Sequence, residues 1–168
     1  MRVRPASPDD EALILAWAND PAARAAGFQA EPIEPDIHHR WFSKRLARPA
    51  AGRIWIGLDD GDERPIGVVR AEMAGDGALV VSITLDPAER GLGTSRPLLE
   101  AGLAAARTAF PGKQFRAWIR PDNRPSLALF RGAGFVPPQR SPTVAPAGAD
   151  PDAVILELDD LRGRVSGG

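Results

Sequence analysis

A strand pattern that runs through a glycine-containing loop into a helix pattern is the feature that most constrains the fold. The strand covers residues 79–85 and is rich in β-branched residues, and the helix covers residues 95–109 and stops at a Pro-Gly pair. A further strand pattern follows at residues 115–119. Because a strand, a helix and a neighbouring strand form a crossover, we expect the two strands to be parallel. The helix side that we expect to be buried carries Leu98, Leu99, Gly102, Leu103, Ala106 and Phe110.

Upstream of that loop, the sequence predicts a three-stranded antiparallel meander. Strand patterns at residues 53–58, 66–73 and 79–85 are joined by turns at residues 59–62 and 75–77, both of which contain Asp and Gly. Strands that are joined by such short turns pair in antiparallel fashion with their neighbours.

Two helices are predicted before the meander. The first begins at Ser7, a favourable N-cap residue, and continues to residue 18. The second covers residues 36–46, and residues 22–33 between the two helices carry no regular pattern. The side chains that we expect to face a core are Leu13, Ile14 and Trp17 in the first helix and Ile37, Trp41 and Phe42 in the second.

The last part of the chain predicts a short helix and a final strand. The helix covers residues 125–133, and Gly134 is a typical C-terminal cap. Residues 135–136 are a candidate start of a strand, and residues 153–158 form the final strand pattern.

Two segments are predicted to lack regular structure. Residues 137–151 are rich in Pro and Ala and are expected to form a long loop, and residues 162–168 are expected to form a flexible tail. A length of 168 residues fits one domain better than two. We therefore predict a single α/β (α+β) domain over residues 1–168, with a mixed, mostly antiparallel sheet that is flanked by helices.

Composition argues against several classes of function. The net charge is −1, and no basic segment indicates binding to nucleic acid. The chain has no Cys and only two His, His38 and His39, so we expect neither a disulfide framework nor a metal site. Apolar runs stay well below the ~18 residues of a membrane span. The N-terminus does not resemble a signal peptide either, and a cytoplasmic protein is the expectation.

The loop of residues 90–95, Arg-Gly-Leu-Gly-Thr-Ser, is a candidate phosphate-binding site. The first N–H groups of a helix lack acceptors and carry partial positive charge, and glycines let a ligand approach the backbone closely. The same glycines would also serve a plain tight turn. The loop completes neither the Gly-x-Gly-x-x-Gly nor the Gly-Lys-Ser/Thr phosphate motif.

Two motifs here resemble signatures of the GNAT superfamily of N-acetyltransferases. Arg90-x-x-Gly93-x-Ser95 resembles the pyrophosphate motif Gln/Arg-x-x-Gly-x-Gly/Ala, with a small Ser at the last position. Residues 123–135, Asn-Arg-Pro-Ser-Leu-Ala-Leu-Phe-Arg-Gly-Ala-Gly-Phe, resemble the second signature, Asn-x-x-Ser-x-x-Leu-Tyr/Phe-x-x-x-Gly-Phe. The resemblance is close over residues 79–136 and looser upstream. It implies a GNAT-like sheet with a parallel strand pair around the coenzyme site.

The resemblance further implies that acetyl-CoA is the co-substrate and that no metal takes part. The residues that it assigns to coenzyme binding are Leu85, Arg90, Gly91, Leu92, Gly93, Thr94, Ser95, Asn123, Ser126 and Phe130. Asn123 and Ser126 are also typical capping residues, and both roles can hold at once. We interpret Leu127, Leu129 and Phe135 of the same segment as core residues.

In that family an amine attacks the thioester directly, and the strand before the loop offers a backbone N–H to the carbonyl oxygen. Leu85 is the matching position, and such a donor contributes roughly 2.7–4 kcal/mol. Many members carry a Tyr that protonates the departing thiolate where this chain has Phe130, and the chain contains no Tyr. Water, Ser126 or the product ammonium are the alternative proton sources.

The attacking amine must lose a proton, and the sequence leaves the base open. The candidates are His38, Glu72, Glu11 and a water held by strand residues such as Ser82 and Thr84. Solvated surface charges explain Glu72 and Glu11 better, which leaves His38 slightly ahead.

The upstream half resembles a subgroup that acetylates nucleotide-linked amino sugars, used in making bacterial surface sugars such as pseudaminic acid. Residues 17–21 and 38–42 resemble its Trp-Arg-Asn-Asp-Pro and His-x-x-Trp-Phe signatures, with Ala18 in place of the usual Arg. The resemblance assigns acceptor binding to Trp17, Asn19, His38 and Trp41. Core packing is the alternative explanation for Trp17, Trp41 and Phe42.

Three functions remain open at this point. The first is transfer of the acetyl group to a primary amine of a small molecule, with an amino sugar as the first candidate. Ribosomal-protein N-terminal acetyltransferases have a similar upstream layout, so a protein α-amine is the second. A non-catalytic acyl-CoA-binding protein is the third, and Phe130 alone supports it. A monomer or a homodimer is expected.

Overall fold

A six-stranded sheet forms the centre of the molecule, for which the computed structural model describes residues 1–140, 142, 145 and 149–158. The strands are β1 (Arg2–Pro5), β2 (Gly52–Leu58), β3 (Pro65–Met73), β4 (Leu79–Leu85), β5 (Phe115–Ile119) and β6 (Val154–Leu158). They lie side by side in chain order. Neighbours are antiparallel except β4 and β5, which are parallel. The predicted meander and the predicted parallel pair are confirmed.

Helices cover both faces of this sheet. They are α1 (Glu11–Ala18), α2 (Pro21–Ala26), α3 (Pro35–Ala47), α4 (Ser95–Ala109) and α5 (Arg124–Gly132). Because strand side chains point to alternate faces, each strand contributes to two cores. Ile54, Ile56 and Val68 pack under α1 and α3, whereas Trp55 and Val69 pack under α4 and α5. The predicted fold class, a mostly antiparallel sheet flanked by helices, is confirmed.

Helix α4 approaches the sheet closely at three glycines. Gly102 of α4 faces Val69 of β3, and a Cβ atom at Gly102 would lie 2.6 Å from that side chain. One turn earlier, Leu98 fills the space above Gly57 and Gly67, where added Cβ atoms would lie 2.2 and 2.7 Å from it. The predicted buried side of this helix is confirmed in full for Leu98, Leu99, Gly102, Leu103, Ala106 and Phe110.

Two elements are present that the sequence pattern did not predict. Strand β1 has only four residues, too few to show a period. Helix α2 lies in the segment 22–33 that was expected to be irregular. It forms because the Asp20 side chain accepts hydrogen bonds from the N–H groups of Ala22 and Ala23, at 3.0 and 3.1 Å, and Pro21 takes the first helical position. The Asp-Pro pair therefore ends one helix and begins the next.

Two further expectations were wrong. Ile37 was expected to face a core but is 53% exposed, and His38 takes the buried position at 2% exposure. His38 and Phe42 are four residues apart and share the inner side of α3, so the buried stripe is rotated by one residue from the apolar pattern. Residues 135–136 begin no strand and form only an isolated bridge to Glu157, because the two prolines that follow have no N–H for a ladder.

Some predicted segments fall beyond what the structure describes. The tail at residues 162–168 lies outside the described residues, as do residues 141, 143, 144 and 146–148 of the loop at 137–151. The described residues of that loop belong to neither a helix nor a strand. Within the described ranges, no helix has both the length and the apolar character needed to cross a membrane.

Gly102→Ala should destabilise the protein, although Ala favours a helix over Gly by about 1 kcal/mol. The methyl group would meet Val69 at 2.6 Å, and overpacking of this kind costs about 1–3 kcal/mol. Urea unfolding should show a net loss of about 1 kcal/mol, and Gly102→Ala with Val69→Ala should lose less than the sum of the two single variants. The matched control is Gly132→Ala in α5, whose methyl would meet only the flexible end of Arg96. Unchanged stability in Gly102→Ala would contradict the close packing of α4.

Candidate functional site

The opening between β4 and β5 is the central feature of the candidate site. The two strands, both described in full, pair only at Leu79 with Phe115 and at Val80 with Arg116. Strand β4 then continues to Leu85 without a partner on this side. The parallel ladder is thus open at its C-terminal end, which is where sheets with parallel strands bind their ligands.

A backbone N–H group of β4 points into this opening. The N–H of Asp86 donates to the carbonyl oxygen of Ile66 at 2.9 Å, toward β3. Successive N–H groups along a strand point to opposite sides, so the N–H of Leu85 points away from β3 and toward the opening. Strand β5 offers it no partner, because the ladder has already ended. Leu85, to which we assigned the contact with the carbonyl oxygen, therefore has an N–H in the required direction.

The loop between β4 and α4 presents its backbone to open space. Gly91 and Gly93 have φ angles of 78° and 79°, in the left-handed region that favours glycine. No atom would lie within 4 Å of a Cβ at either position. In α4, the N–H of Leu98 is bonded to the carbonyl of Thr94, and the N–H groups of residues 94–96 precede the first helical acceptor. The N–H groups of Arg90 and Leu92 are already bonded to backbone carbonyls. The loop is therefore both a turn that requires glycine and an accessible row of donors.

Buried and charged contacts anchor this loop. Glu89 is 6% exposed and pairs with Arg64 at 2.7 Å. The Thr94 hydroxyl donates to the carbonyl of Glu89 at 3.0 Å. Arg90 pairs with Asp20, the residue that caps α2, and this guanidinium lowers the pKa of the Asp20 carboxyl. Arg90, which the resemblance assigns to phosphate, is thus engaged with a carboxylate in this structure.

On the other side of the opening, Asn123 caps α5. Its Oδ1 accepts from the N–H of Ser126 at 3.2 Å, and its Nδ2 donates to the carbonyl of Ala26 at 3.1 Å. Arg120 donates to the carbonyl of Gly27 at 3.3 Å. The capping role of Asn123 is confirmed, and its coenzyme contact stays a prediction. Helix α2 is therefore attached to both sides of the opening, by the ion pair at its start and by these bonds at its end.

Phe130 lies in the main core. It is 3% exposed and meets Phe135 edge to face, with ring centroids 5.0 Å apart. Leu127 and Leu129 pack in the same core, so the core interpretation of Leu127, Leu129 and Phe135 is confirmed. The coenzyme contacts of Phe130 and Ser126 stay predictions, and the Phe130 ring has no proton to donate.

His38 is buried between α1 and α3. Its ring stacks on Phe42, with centroids 5.7 Å apart, and its Nδ1 lies 3.7 Å from Glu11 Oε1. Neither ring nitrogen has a hydrogen-bond partner among the described residues. Burial lowers the pKa of His38 more than Glu11 raises it, so the imidazole is neutral at pH 7. It has the protonation state of a base, but at 2% exposure it presents almost no surface to a substrate.

The two carboxylates that were the alternatives to His38 both have a side-chain partner. Glu11 pairs with the exposed His39 at 3.0 Å. Glu72 pairs with Arg45 at 3.2 Å. Neither carboxylate is a solvated charge on its own, and neither is free to accept a proton without losing its partner.

The structure does not bring the four predicted acceptor residues to one open surface. Trp17 is 3% exposed, and its indole N–H is bonded to a side chain at the end of β4. Asn19 uses its amide on the backbone of Ile33, donating at 2.9 Å and accepting at 2.7 Å. Trp41 is partly exposed and adjoins His38, with ring centroids 5.3 Å apart. Packing thus accounts for Trp17, the Asn19 amide is held by the backbone, and Trp41 is partly exposed beside His38.

Sequence reasoning missed a partly buried cation on the sheet face that carries α1 and α3. Arg70 of β3 donates from Nε to Ser82 Oγ at 3.0 Å, and its guanidinium lies 5.4 Å from the centre of the Trp41 ring. Burial lowers the pKa of Arg70, but the group stays charged. On β5, the buried Nε1 of Trp118 has no acceptor among the described residues. The available signal was a lone Arg within the apolar strand pattern Ile-Gly-Val-Val-Arg.

These features suit an extended anionic ligand better than a metal ion. The loop offers backbone donors to a phosphate, and the unpaired edge of β4 offers them to an extended arm. In the described part of the chain, no three His, Asp or Glu side chains are grouped so that they could hold a metal.

Comparison with known proteins gives one family match that covers most of the chain. The acetyltransferase (GNAT) domain matches residues 1–136. A mycothiol acetyltransferase of Clavibacter michiganensis subsp. michiganensis is 35% identical over an alignment of 92 residues, and the match covers 49% of this chain and 28% of that protein. The match thus covers little more than a quarter of that relative's length.

Solved structures share the fold over almost the whole chain. The ribosomal-protein-alanine N-acetyltransferase from Brucella melitensis superposes with a TM-score of 0.73 at 20% identity, covering 95% of this chain and 99% of that one. A spermidine N-acetyltransferase from Vibrio cholerae, in complex with CoA and spermine, has a TM-score of 0.73 at 19% identity, covering 92% and 91%. At such identities the likeness is one of fold.

The buried His38 should make stability depend on pH. Because its pKa is lowered from the ordinary 6.5 in the folded state, the unfolded chain binds a proton there more readily. The contribution of His38 to the free energy of unfolding is therefore fully present above pH 6.5. It falls as the pH drops from 6.5 toward the lowered folded-state pKa. Urea unfolding between about pH 8 and pH 5 should show this slope, and His38→Gln should flatten it. His39→Gln, at the exposed neighbour, is the control. A folded-state NMR titration of His38 at or above 6.5 would disprove the explanation.

Proposed function

The chain belongs to the acetyltransferase (GNAT) domain family, and we propose that it transfers the acetyl group of acetyl-CoA directly to a primary amine of a small molecule. The observation that carries this proposal is the opening between β4 and β5, which ends beside the glycine loop at the start of α4. The loop suits the pyrophosphate of the coenzyme. The opening suits the arm that ends in the thioester.

Coenzyme binding is assigned to both sides of the opening. The space over Gly91 and Gly93 is free of protein atoms within 4 Å of an added Cβ, so a phosphate can approach the backbone there. Arg90 stands beside this seat and would turn from Asp20 to the phosphates or hold both. On the far side, Asn123 begins α5 and borders the path of the coenzyme arm.

The reaction joins the amine nitrogen to the acetyl carbon and breaks the C–S bond, which leaves an amide and a thiolate. Negative charge collects on the carbonyl oxygen before the bond breaks, and the N–H of Leu85 is directed to receive it. A backbone donor of this kind contributes roughly 2.7–4 kcal/mol to the transition state. The absence of Cys agrees with direct attack, without an acyl-thiol intermediate on the protein.

Two protons remain to be moved. The thiolate needs one, and since the chain has no Tyr, water, Ser126 or the product ammonium supplies it. The amine must lose one, and the other candidate bases are either buried or held by a side-chain partner. We therefore favour a water on the side chains of Ser82 and Thr84, which lie on one face of β4 next to the opening.

The acceptor is proposed to be a small molecule, with a nucleotide-linked amino sugar as the first candidate. Two of the similar proteins are named for small molecules, mycothiol and spermidine. A third is named for an alanine of ribosomal proteins, so a protein α-amine is the second candidate.

Turnover of acetyl-CoA with a panel of amines tests the proposal, with release of free thiol as the measurement. A chain without Cys adds no thiol background. We expect release with small amines. Release with peptides alone would replace the small molecule by a protein acceptor. Coenzyme binding without release on any amine would leave a non-catalytic acyl-CoA-binding protein.

Gly93→Asp should weaken acetyl-CoA binding far more than Gly93→Asn. Asn and Asp are almost equal in size, and both tolerate the left-handed backbone at φ 79°, so the pair isolates the added negative charge. We expect calorimetry to show at least about a tenfold difference in Kd between the two variants. Equal affinities would mean that the phosphates bind elsewhere.

A further inference from the structure

Arg70 is a partly buried cation for which acetyl transfer itself has no use. Its one hydrogen bond runs from Nε to Ser82 Oγ at 3.0 Å, and one face lies against Trp41. No described residue accepts a hydrogen bond from its terminal nitrogens, Nη1 and Nη2. These two nitrogens are not buried, so a ligand can reach them from solvent.

The charges around Arg70 leave a positive surplus. Glu72 favours the charged form of Arg70, but this carboxylate already pairs with Arg45 at 3.2 Å. Arg45 in turn disfavours the charge on Arg70. His38 also faces this region and is neutral, and Glu11 lies 3.0 Å from the ring of the exposed His39. Two arginines thus share one carboxylate.

Arg70 stands at one end of a polar row that leads to the opening. Ser82 lies directly across from it on β4. Val80 and Arg116 are the last paired residues of β4 and β5, and two residues further along each strand, on the same face, come Ser82 and Trp118. The Trp118 Nε1 is buried and has no acceptor among the described residues. Two unpartnered donors therefore lie on one face, on either side of the opening.

We propose that Arg70 binds an anionic group of the acceptor, with Trp118 as the second donor, so that the substrate is a small amine bearing a carboxylate or a phosphate. This inference rests on the proposed function and specifies its acceptor. With Nε bound to Ser82, the two terminal nitrogens remain as a pair of donors that match two oxygens of an acid group. Trp41 holds the guanidinium from the other side.

The spacing along β4 suits such a substrate. Thr84 follows Ser82 on the same face, about 7 Å further along the strand, and the N–H of Leu85 comes next. The acid group and the reacting nitrogen are then a few bonds apart, which is the separation found in short amino acids and aminoalkyl phosphates. If Arg70 had only a structural role, its hydrogen bond to Ser82 and its contact with Trp41 would be sufficient. Neither contact requires a positive charge that lacks a counter-ion.

Matched pairs of amines test the proposal. They are β-alanine with ethylamine, γ-aminobutyrate with propylamine, and phosphoethanolamine with ethanolamine. The wild type should prefer the acid-bearing member of at least one pair by about 10- to 100-fold in kcat/KM. Arg70→Met keeps an unbranched apolar stem but removes the guanidinium, and it should abolish this preference, mainly through KM. Arg70→Lys should retain part of it.

Arg45→Met is the matched control. Arg45 is a nearby arginine whose guanidinium is committed to Glu72 and to the carbonyl of Ala51. The kcat/KM ratio between the two amines of each pair should stay unchanged in this variant. Loss of the ratio in Arg45→Met as well would overturn the assignment to Arg70.

A binding measurement gives a readout that does not need turnover. The indole N–H resonance of Trp118, assigned with Trp118→Phe, should shift when coenzyme-loaded protein is titrated with γ-aminobutyrate or phosphoethanolamine. It should not shift with propylamine or ethanolamine. The shift should be absent in Arg70→Met.

The outcomes separate this inference from the proposed function. A preference in the carboxylate pairs or in the phosphate pair supports it and identifies the acid group. Two results would overturn it and leave the acetyltransferase activity standing. One is turnover with a kcat/KM ratio near one in every pair, and the other is an equal fall in kcat/KM for both amines of a pair in Arg70→Met. A Trp118 shift without turnover on any amine would preserve the acid site and refute the transfer reaction.

Discussion

The contact of α4 with the glycines of the sheet is the constraint on which the rest of the structure depends. Leu98 occupies the space that Gly57 and Gly67 leave, and Gly102 leaves space for Val69. This packing fixes the height of α4 over the sheet, and with it the position of its first turn at the end of β4. A bulkier residue would lift the helix and move the loop that precedes it. The packing of the core therefore also determines the position of the glycine loop, the proposed phosphate site.

The opening between β4 and β5 lies beside that loop and forms the second part of the proposed site. Buried backbone N–H groups are almost always paired, because an unpaired one is costly. Strand β4 departs from this rule from Val81 onward on the side of β5, where only two residues of each strand pair. The N–H of Leu85 is one of the groups on this side without a partner strand, whereas the other neighbouring strands pair over longer ladders, with one register shift at Gly57 and Leu58. A ligand in the opening would complete the pairing that the fold leaves undone.

Regular and long elements were predictable, and contacts between distant residues were not. The pattern predicted β4 and α4 with the bounds that the structure has, since a strong apolar period and the Pro-Gly stop agree there. It missed β1 and α2, which are short, and α2 has no buried side chain to create a period. The buried stripe of α3 was misplaced because His38 counts as polar. Arg70 was overlooked because its partner Ser82 is set by strand register, which no local pattern reveals.

Helix α2 buries none of its side chains, yet it joins the two sides of the opening. Polar contacts at its two ends determine its position, and neither core takes part. Such a segment can detach without disturbing either core, because only a few exposed or half-buried bonds must break. Two of the residues that hold it, Arg90 and Asn123, are those assigned to the coenzyme. Coenzyme at the proposed site would therefore compete with α2 for these two side chains.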